Sequence, residues 1–243
     1  MNILLIHGSG HDRSCWDLLV PHLEDRGFRV RALSLGACGD DERSPFSVSM
    51  HTWANDICTA AESVGAPTVL LGHSMGGYPI SLAGEKRPEL FNTLIYLSAI
   101  VPKSGGARIL SDRERFHNDR LDELAQVSLL RGSMTFRPQA SEVFASECST
   151  KQKAWAASRM CRHPLRPIIS RFRWTAEKLG SIPKHYIECT LDRAVTPAQQ
   201  RALQTNMQFT TVRRLESDHS PFLSMPERLA ALIAELSPGV WSS

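Results

Sequence analysis

A serine stands between two glycines in the segment 69–77, which reads VLLGHSMGG. The apolar residues before Gly72 predict a buried strand, and the residues after Gly76 predict a helix. On such a tight strand-to-helix turn a serine hydroxyl protrudes and can attack an acyl carbon, while small residues on both sides let the chain cross closely. We therefore predict Ser74 as a nucleophile. Without the flanking strand and helix, the same five-residue pattern would indicate only a turn.

A serine nucleophile requires a base, and the base requires an acid that orients it. His219 lies in the segment 216–221, ESDHSP, between the last predicted strand and the last predicted helix. Of the other histidines that follow the serine, His117 and His163 lie in a predicted insertion, and His185 lies at the start of a strand. We predict His219 as the base; a loop histidine that caps or solvates the next helix is the alternative.

Two aspartates compete for the role of the orienting acid. Asp192 follows a predicted strand at 185–190, so its carboxylate should lie at the same edge of the sheet as the nucleophile. Asp218 is the immediate neighbour of His219, is poorly placed to reach Nδ1 of that ring, and is expected to be a solvated turn residue. The segment 99–102, another location for such an acid, contains none. We predict Asp192 as the acid.

The loop after the first predicted strand is rich in small residues and reads HGSG at 7–10. We expect the backbone N–H groups of Ser9 and Met75 to converge on a developing oxyanion, each lowering the barrier by about 3 kcal/mol. Gly8, Ser9 and Met75 should then contact the substrate. A loop that only connects strand to helix is the alternative. Phosphate binding is not favoured, because the loop has neither a GxGxxG nor a Walker pattern.

The elements that must position these residues alternate between strand and helix, which predicts a mostly parallel sheet flanked by helices, an α/β fold. Strands are predicted at 2–6, 28–33, 68–71, 93–98, 185–190 and 210–215, and helices at 47–64, 78–86, after Thr196 and after Ser224. The last two helices each begin with a predicted capping box, TPAQ at 196–199 and SMPE at 224–227.

The segment 103–180 differs from the rest of the chain, because its apolar residues recur at helical spacing and no strand–turn–helix unit is evident. We predict a core of residues 1–102 and 181–243 and a helical cap of residues 103–180. Large apolar residues of the cap could line a substrate pocket or pack within the cap itself. They are Phe116, Phe136, Phe144, Trp155, Met160, Phe172 and Trp174.

Composition excludes several classes of function. The 243 residues carry a net charge of +3, with 42% hydrophobic and 22% charged residues, as in one ordinary globular core. No apolar run is long enough to span a membrane and the first residues do not resemble a secretory signal, so we expect a cytoplasmic protein. The scattered basic residues predict no nucleic-acid partner, and the oligomeric state, a homodimer included, stays open.

The cysteines and histidines do not form a metal-binding pattern. Six cysteines are spread singly along the chain, which predicts reduced thiols that fill space in the core. The nine histidines include no HExxH pair and no close cluster with acidic residues. We therefore expect no metal site.

Four segments together resemble the α/β-hydrolase superfamily and, more narrowly, its methylesterase and hydroxynitrile lyase branch. They are His7-Gly8, GHSMGG at 72–77, Thr190-x-Asp192 with Gln199 or Gln200 behind it, and SDHSPFLS at 217–224. The resemblance covers nearly the whole chain outside the predicted cap. It implies an α/β-hydrolase fold with a helical cap over the pocket and a mechanism without a cofactor.

Two positions separate the esterases from the lyases of that branch. The lyases usually have a threonine after the first histidine and a lysine after the catalytic histidine, where this chain has Gly8 and Ser220. Both differences favour hydrolysis of a small to medium carboxylic ester, with a methyl ester among the candidates, and thioesters, lactones and activated amides stay open. Hydroxynitrile cleavage and a ligand receptor on a hydrolase scaffold are the alternatives. Ser74 excludes the relatives that use an aspartate nucleophile.

Overall fold

A computed structural model describes residues 1–104, 117–171 and 173–237 of the chain. The strands within these ranges are β1 (Asn2–Ile6), β2 (Arg29–Leu33), β3 (Thr68–His73), β4 (Phe91–Leu97), β5 (Ala125–Ser128), β6 (Ser133–Phe136), β7 (His163–Pro164), β8 (Lys184–Cys189) and β9 (Thr211–Leu215). Six of them form a wholly parallel sheet in the order β2-β1-β3-β4-β8-β9. The predicted α/β-hydrolase architecture is confirmed, and the strand ends differ from the predicted ones by at most two residues.

The helices within the same ranges lie partly on the two faces of this sheet and partly in the insertion at 103–180. They are α1 (Val20–Glu24), α2 (Met50–Val64), α3 (Gly77–Lys86), α4 (Asp119–Leu124), α5 (Ser141–Phe144), α6 (Thr150–Ser158), α7 (Pro197–Gln204), α8 (Pro221–Ser224) and α9 (Pro226–Leu236). Strand β1 illustrates the layering: Leu4 and Ile6 pack with α2 and α3, whereas Ile3 and Leu5 pack with α1 and α9. Alternate side chains of a strand point to opposite faces, so a strand that is apolar throughout is covered on both.

One of the two predicted capping boxes is present. The Thr196 side chain accepts a hydrogen bond from the Gln199 amide, and the Gln199 side chain accepts one from the Thr196 amide, at the start of α7. The box predicted at Ser224 is wrong. Helix α9 begins after Met225 and has no side-chain cap. Ser224 is instead the last residue of α8, and its hydroxyl donates to the Asp218 carboxylate.

The insertion contains α4, α5 and α6 and also an antiparallel sheet of β5, β6 and β7, which the purely helical prediction lacks. These strands have only two to four residues, too few for an alternating pattern to be recognised in the sequence. The boundaries of the cap at 103 and 180 stay a prediction.

All six cysteines are unpaired, and five of them are buried. They occupy core space, as the sequence predicts. Within the part of the chain that the structure describes, no helix is both long enough and apolar enough to cross a membrane.

Candidate active site

Ser74 lies at the carboxyl end of β3, in a short 3-10 turn that leads into α3. Its φ of 53° falls in the left-handed region, which non-glycine residues rarely adopt and which turns the side chain out of the strand direction. The expected close crossing is present on both sides of it. A Cβ atom at Gly72 would lie 2.7 Å from the Gly76 carbonyl oxygen, and one at Gly76 would lie 2.8 Å from the His7 carbonyl oxygen.

The structure brings His219 and Asp192 together. Nδ1 of His219 lies 2.7 Å from Oδ2 of Asp192, and both side chains are buried. The other oxygen, Oδ1, accepts hydrogen bonds from the Ala194 and Val195 amides at 2.7 and 2.9 Å, and Gln200 Nε2 donates to Oδ2 at 3.2 Å. With Nδ1–H held by this carboxylate, Nε2 of the imidazole is the nitrogen that can exchange a proton.

Two aromatic rings flank the imidazole of His219. The ring of His73 lies 4.5 Å from it between centroids, and Nε2–H of His73 donates to the His219 carbonyl oxygen at 2.8 Å. Burial lowers the pKa of His73 well below its usual value, so this second imidazole is neutral and adds no charge to the site. The Phe144 ring, at the end of α5 in the insertion, stacks on the His219 ring with the centroids 5.7 Å apart and an interplanar angle of 30°.

Ser98 belongs to the same cluster, and the sequence reasoning missed it. Its hydroxyl donates to Oδ2 of Asp192 and lies 3.3 Å from Nδ1 of His219. The residue is buried directly after β4 and has a φ of 44°. The available signal was its position: a small polar residue at the end of a central strand reaches the same sheet edge as Ser74.

Asp218 is buried, and the expectation of a solvated turn residue is wrong. Its carboxylate accepts hydrogen bonds from the amides of Glu147 and Ser220 and from the Ser224 hydroxyl, at 3.0, 3.1 and 2.9 Å. Burial raises its pKa. The bond to the amide two residues ahead is an Asx turn, which holds the carboxylate beside the backbone and explains why Asp192 holds Nδ1 of His219 instead.

Ser74 and His219 open into one cavity of about 230 Å³ between the sheet edge and the insertion. Ser9 and Met75, the predicted oxyanion donors, line the same cavity. The Met75 amide is among the first of the turn after Ser74, where helical N–H groups have no partner within the helix. Gly8 lies behind the nucleophile, since a Cβ atom there would be 2.7 Å from Cβ of Ser74.

The remaining cavity wall is mostly apolar and comes largely from the insertion. Its apolar members are Tyr78, Ile100, Leu121, Ala125, Val127, Met134, Phe136, Phe144, Leu165, Ile168, Ala194 and Val195. Of the aromatic and methionine residues predicted for this role, Phe136 and Phe144 are present. Trp155, Met160 and Trp174 pack against core clusters instead, and Phe116 and Phe172 lie outside the described residues.

Polar groups of the wall include a further buried histidine, His163, whose pKa burial lowers to about 3. Nearby His11 has its pKa lowered by burial to about 4. Both rings are therefore neutral near neutral pH. Within residues 1–104, 117–171 and 173–237, no group of three or more histidine, cysteine, aspartate or glutamate side chains is arranged to hold a metal ion.

Comparison with known proteins agrees with this geometry. A family model described as the alpha/beta hydrolase family matches residues 3–232. A pyrethroid hydrolase of Sphingobium wenxiniae is 29% identical over 97% of this chain and 87% of its own length. Putative methylesterase 11 of Arabidopsis thaliana is 25% identical over 97% of this chain, which spans only 64% of that relative.

Among solved structures, a pyrethroid hydrolase from Sphingobium faniae superposes with a TM-score of 0.85 at 27% identity, over 99% of both chains. The match to the family model covers all six strands of the parallel sheet as well as Ser74, Asp192 and His219. The resemblance expected from the sequence motifs is thereby confirmed, and the chain belongs to the alpha/beta hydrolase family, in its methylesterase branch.

Proposed function

We propose that the chain is a carboxylic ester hydrolase in which Ser74 is the nucleophile, His219 the general base and acid, and Asp192 the orienting acid. The observation that carries the proposal is the arrangement at the sheet edge. A strained Ser74 and a His219 whose Nδ1 is bound by a buried carboxylate face one largely apolar cavity. The similarity to relatives named as a putative methylesterase and a pyrethroid hydrolase supports the same reaction.

The first half-reaction forms an acyl-enzyme. The Ser74 hydroxyl attacks the ester carbonyl carbon while Nε2 of His219 takes its proton, and Asp192 stabilises the resulting imidazolium. The amides of Ser9 and Met75 bind the oxyanion of the tetrahedral intermediate. Collapse of this intermediate breaks the bond to the alcohol, which leaves with the proton from His219.

The second half-reaction returns the free enzyme. Water attacks the acyl group while His219 again takes a proton, and a second tetrahedral intermediate releases the acid and the Ser74 hydroxyl. Ser98 and Gln200 assist without touching substrate, because both donate to Oδ2 of Asp192 and so hold the carboxylate that orients the base. The mechanism requires no cofactor.

The cavity determines the class of ester. A space of about 230 Å³ with apolar walls fits a small to medium, partly apolar ester, methyl esters included. The substrate is therefore a small molecule.

The six unpaired thiols are compatible with a reducing compartment, which supports a cytoplasmic location.

Neither alternative function is favoured. A hydroxynitrile lyase of this branch would have a lysine after the catalytic histidine, but here Ser220 occupies that position and is buried. A Cβ atom at Gly8 would lie 2.7 Å from Cβ of Ser74, so the threonine of the lyases would require the loop or the turn to shift. A receptor would not need a nucleophile, base and acid that all meet at one cavity.

The test is steady-state hydrolysis of a panel of p-nitrophenyl and methyl esters by the wild type and by Ser74→Ala. We expect multiple turnovers by the wild type and their loss in the variant, with a preference for short to medium acyl chains. A folded wild type that hydrolyses no ester, or a Ser74→Ala variant that remains equally active, would contradict the proposal.

A further inference from the structure

The base of this site rests partly on the insertion. Phe144, at the end of α5, stacks on the His219 imidazole, which the His73 ring also contacts. Three residues further along, the Glu147 amide donates to Oδ2 of Asp218, the residue that precedes His219. One short stretch of the insertion therefore contacts both the ring of the base and the side chain of the residue that precedes it.

Asp218 is the group that joins the two. It is fully buried, and its Oδ1 accepts from the Ser220 amide and the Ser224 hydroxyl, while Oδ2 accepts from the Glu147 amide. The Cys148 thiol lies beside the same carboxylate, and burial together with this negative charge raises the pKa of the thiol to about 12. The two amides and the hydroxyl all donate, so only an acceptor with two oxygens can satisfy them together.

We propose that Asp218 is a positioning residue for the base: by binding the 147–148 turn of the insertion and the backbone after His219, it keeps the Phe144 ring stacked beside the imidazole. The inference rests on the proposed function of His219. It assigns to Asp218 a role distinct from that of Asp192, which binds Nδ1 directly. Asp218 acts only through the placement of the ring.

The consequence is a coupling between the cap and the rate of the chemical step. Replacing the carboxylate by an amide in Asp218→Asn directs an N–H₂ group at one of the donors, which should release the 147–148 turn and let Phe144 tilt away. An imidazole that is displaced by a fraction of an ångström transfers its proton poorly. Substrate binding in the rest of the cavity would be largely preserved.

A double-mutant cycle on kcat tests this role with Asp218→Asn, Phe144→Leu and the double variant. We expect Asp218→Asn to lower kcat about tenfold with KM changed less than about twofold. Because both substitutions remove the same stacking contact, kcat of the double variant should lie within about threefold of that of Asp218→Asn rather than show the product of both effects.

Gln152→Ala is the matched control. Gln152 Nε2 donates to the Leu223 carbonyl oxygen at 2.7 Å, another hydrogen bond between the insertion and the core. Gln152 Oε1 also accepts from the Ser149 amide and hydroxyl at the start of α6, and none of these bonds involves Asp218. The control should lower the thermal midpoint and leave kcat within about twofold of the wild type. Thermal unfolding of every variant gives the folded fraction by which kcat is corrected.

Two results would overturn the inference while the ester hydrolysis stands. One is a folded Asp218→Asn with wild-type kcat and only a lower thermal midpoint, which would make Asp218 purely structural. The other is full additivity of the two substitutions. A folded wild type that hydrolyses no ester would instead refute the proposed function, and the inference with it.

Discussion

The two walls of the cavity are built in different ways. On the core side, Ser74, Asp192 and His219 each follow a strand of one parallel sheet, β3, β8 and β9, whose central members are buried on both faces. On the side of the insertion, the wall comes from strands of two to four residues and from short helices. Leu129 and Leu130, in the hairpin between β5 and β6, are 81% and 92% exposed.

Because of this difference, we expect the core side to determine the rate of the chemical step and the insertion to determine which substrate is preferred. The reacting groups are held by an extended hydrogen-bonded sheet, which permits little displacement. The walls that meet the substrate are held by fewer buried contacts and can differ without disturbing the sheet. Substitutions on the core side should therefore change kcat by orders of magnitude, whereas most substitutions on the cap side should change substrate preference by small factors.

Removal of the orienting charge should have the largest effect. Asp192→Asn keeps the size of the side chain but no longer stabilises the imidazolium or fixes the Nδ1–H tautomer, so kcat should fall about 10⁴-fold. Asp218→Asn is the matched aspartate and should lose far less. Steady-state kinetics on one p-nitrophenyl ester measure both. The reverse ranking would transfer the role of the acid to Asp218.

Crowding of the nucleophile should have the next largest effect. In Gly8→Ala the new Cβ atom would lie 2.7 Å from Cβ of Ser74 and 3.1 Å from Nδ1 of His73, so the loop or the turn must shift. We expect kcat/KM to fall about 100-fold, because a small displacement of the nucleophile or of an oxyanion donor is costly. Kinetics on the folded variant, with its thermal midpoint as control, provide the measurement. Wild-type activity of Gly8→Ala would mean that this loop does not determine the position of Ser74 or of the oxyanion donors.

The junction of core and insertion should weaken in acid. Burial lowers the pKa of His163 to about 3 and that of His11 to about 4, whereas in the unfolded chain each histidine has its ordinary pKa of 6.5. Between these values the unfolded state binds more protons, so the free energy of unfolding should fall as the pH drops below 6.5. Each histidine contributes about 1.4 kcal/mol per pH unit in this window.

Chemical denaturation at several pH values from 7 to about 4 measures this slope. His163→Gln should reduce the slope, because the glutamine does not titrate. His51→Gln, a substitution at an exposed position on α2, serves as the control. A slope that is the same in the wild type and in His163→Gln would show that His163 is not buried as a neutral ring.

Enlargement of the cap wall should have the smallest effect on chemistry. Phe136 lines the cavity at the end of β6, and Phe136→Leu should raise the preference for longer acyl chains about fivefold while kcat on an acetyl ester changes less than about threefold. Trp155→Leu is the control, since Trp155 belongs to the insertion but packs on a core cluster. The measurement is the activity of both variants on esters of increasing acyl length. A large loss of kcat on the acetyl ester in Phe136→Leu would contradict the view that the cap wall sets substrate preference and not the chemical step.

The same contrast determines what the sequence could predict. The inner strands β1 and β3 are largely apolar, and the glycines around Ser74 leave a pattern that predicts a close crossing. From the order of these elements, Ser74, Asp192 and His219 could be expected at one edge. Their roles stay proposals, but the structure does bring Asp192 and His219 into contact and opens Ser74 and His219 to one cavity.

What could not be predicted depends on contacts between distant segments. Ser98 has no motif of its own and is recognised only once β4 lies beside β8. Asp218 resembles an ordinary turn aspartate until the Glu147 amide, 71 residues away, is seen to bind it. Ser224 fits a capping box in the sequence, but its hydroxyl donates a hydrogen bond to the Asp218 carboxylate. The short strands of the insertion pair only in three dimensions.

The central claim is that one serine on the core side carries the reaction, and a covalent adduct tests it most directly. The wild type and Ser74→Ala would be treated with a fluorophosphonate probe, and the labelled peptide would be located by mass spectrometry. We predict a single phosphonyl adduct on Ser74, none in the variant, and loss of ester hydrolysis in proportion to labelling. An adduct on another residue, or full hydrolysis by an enzyme labelled at Ser74, would contradict the account.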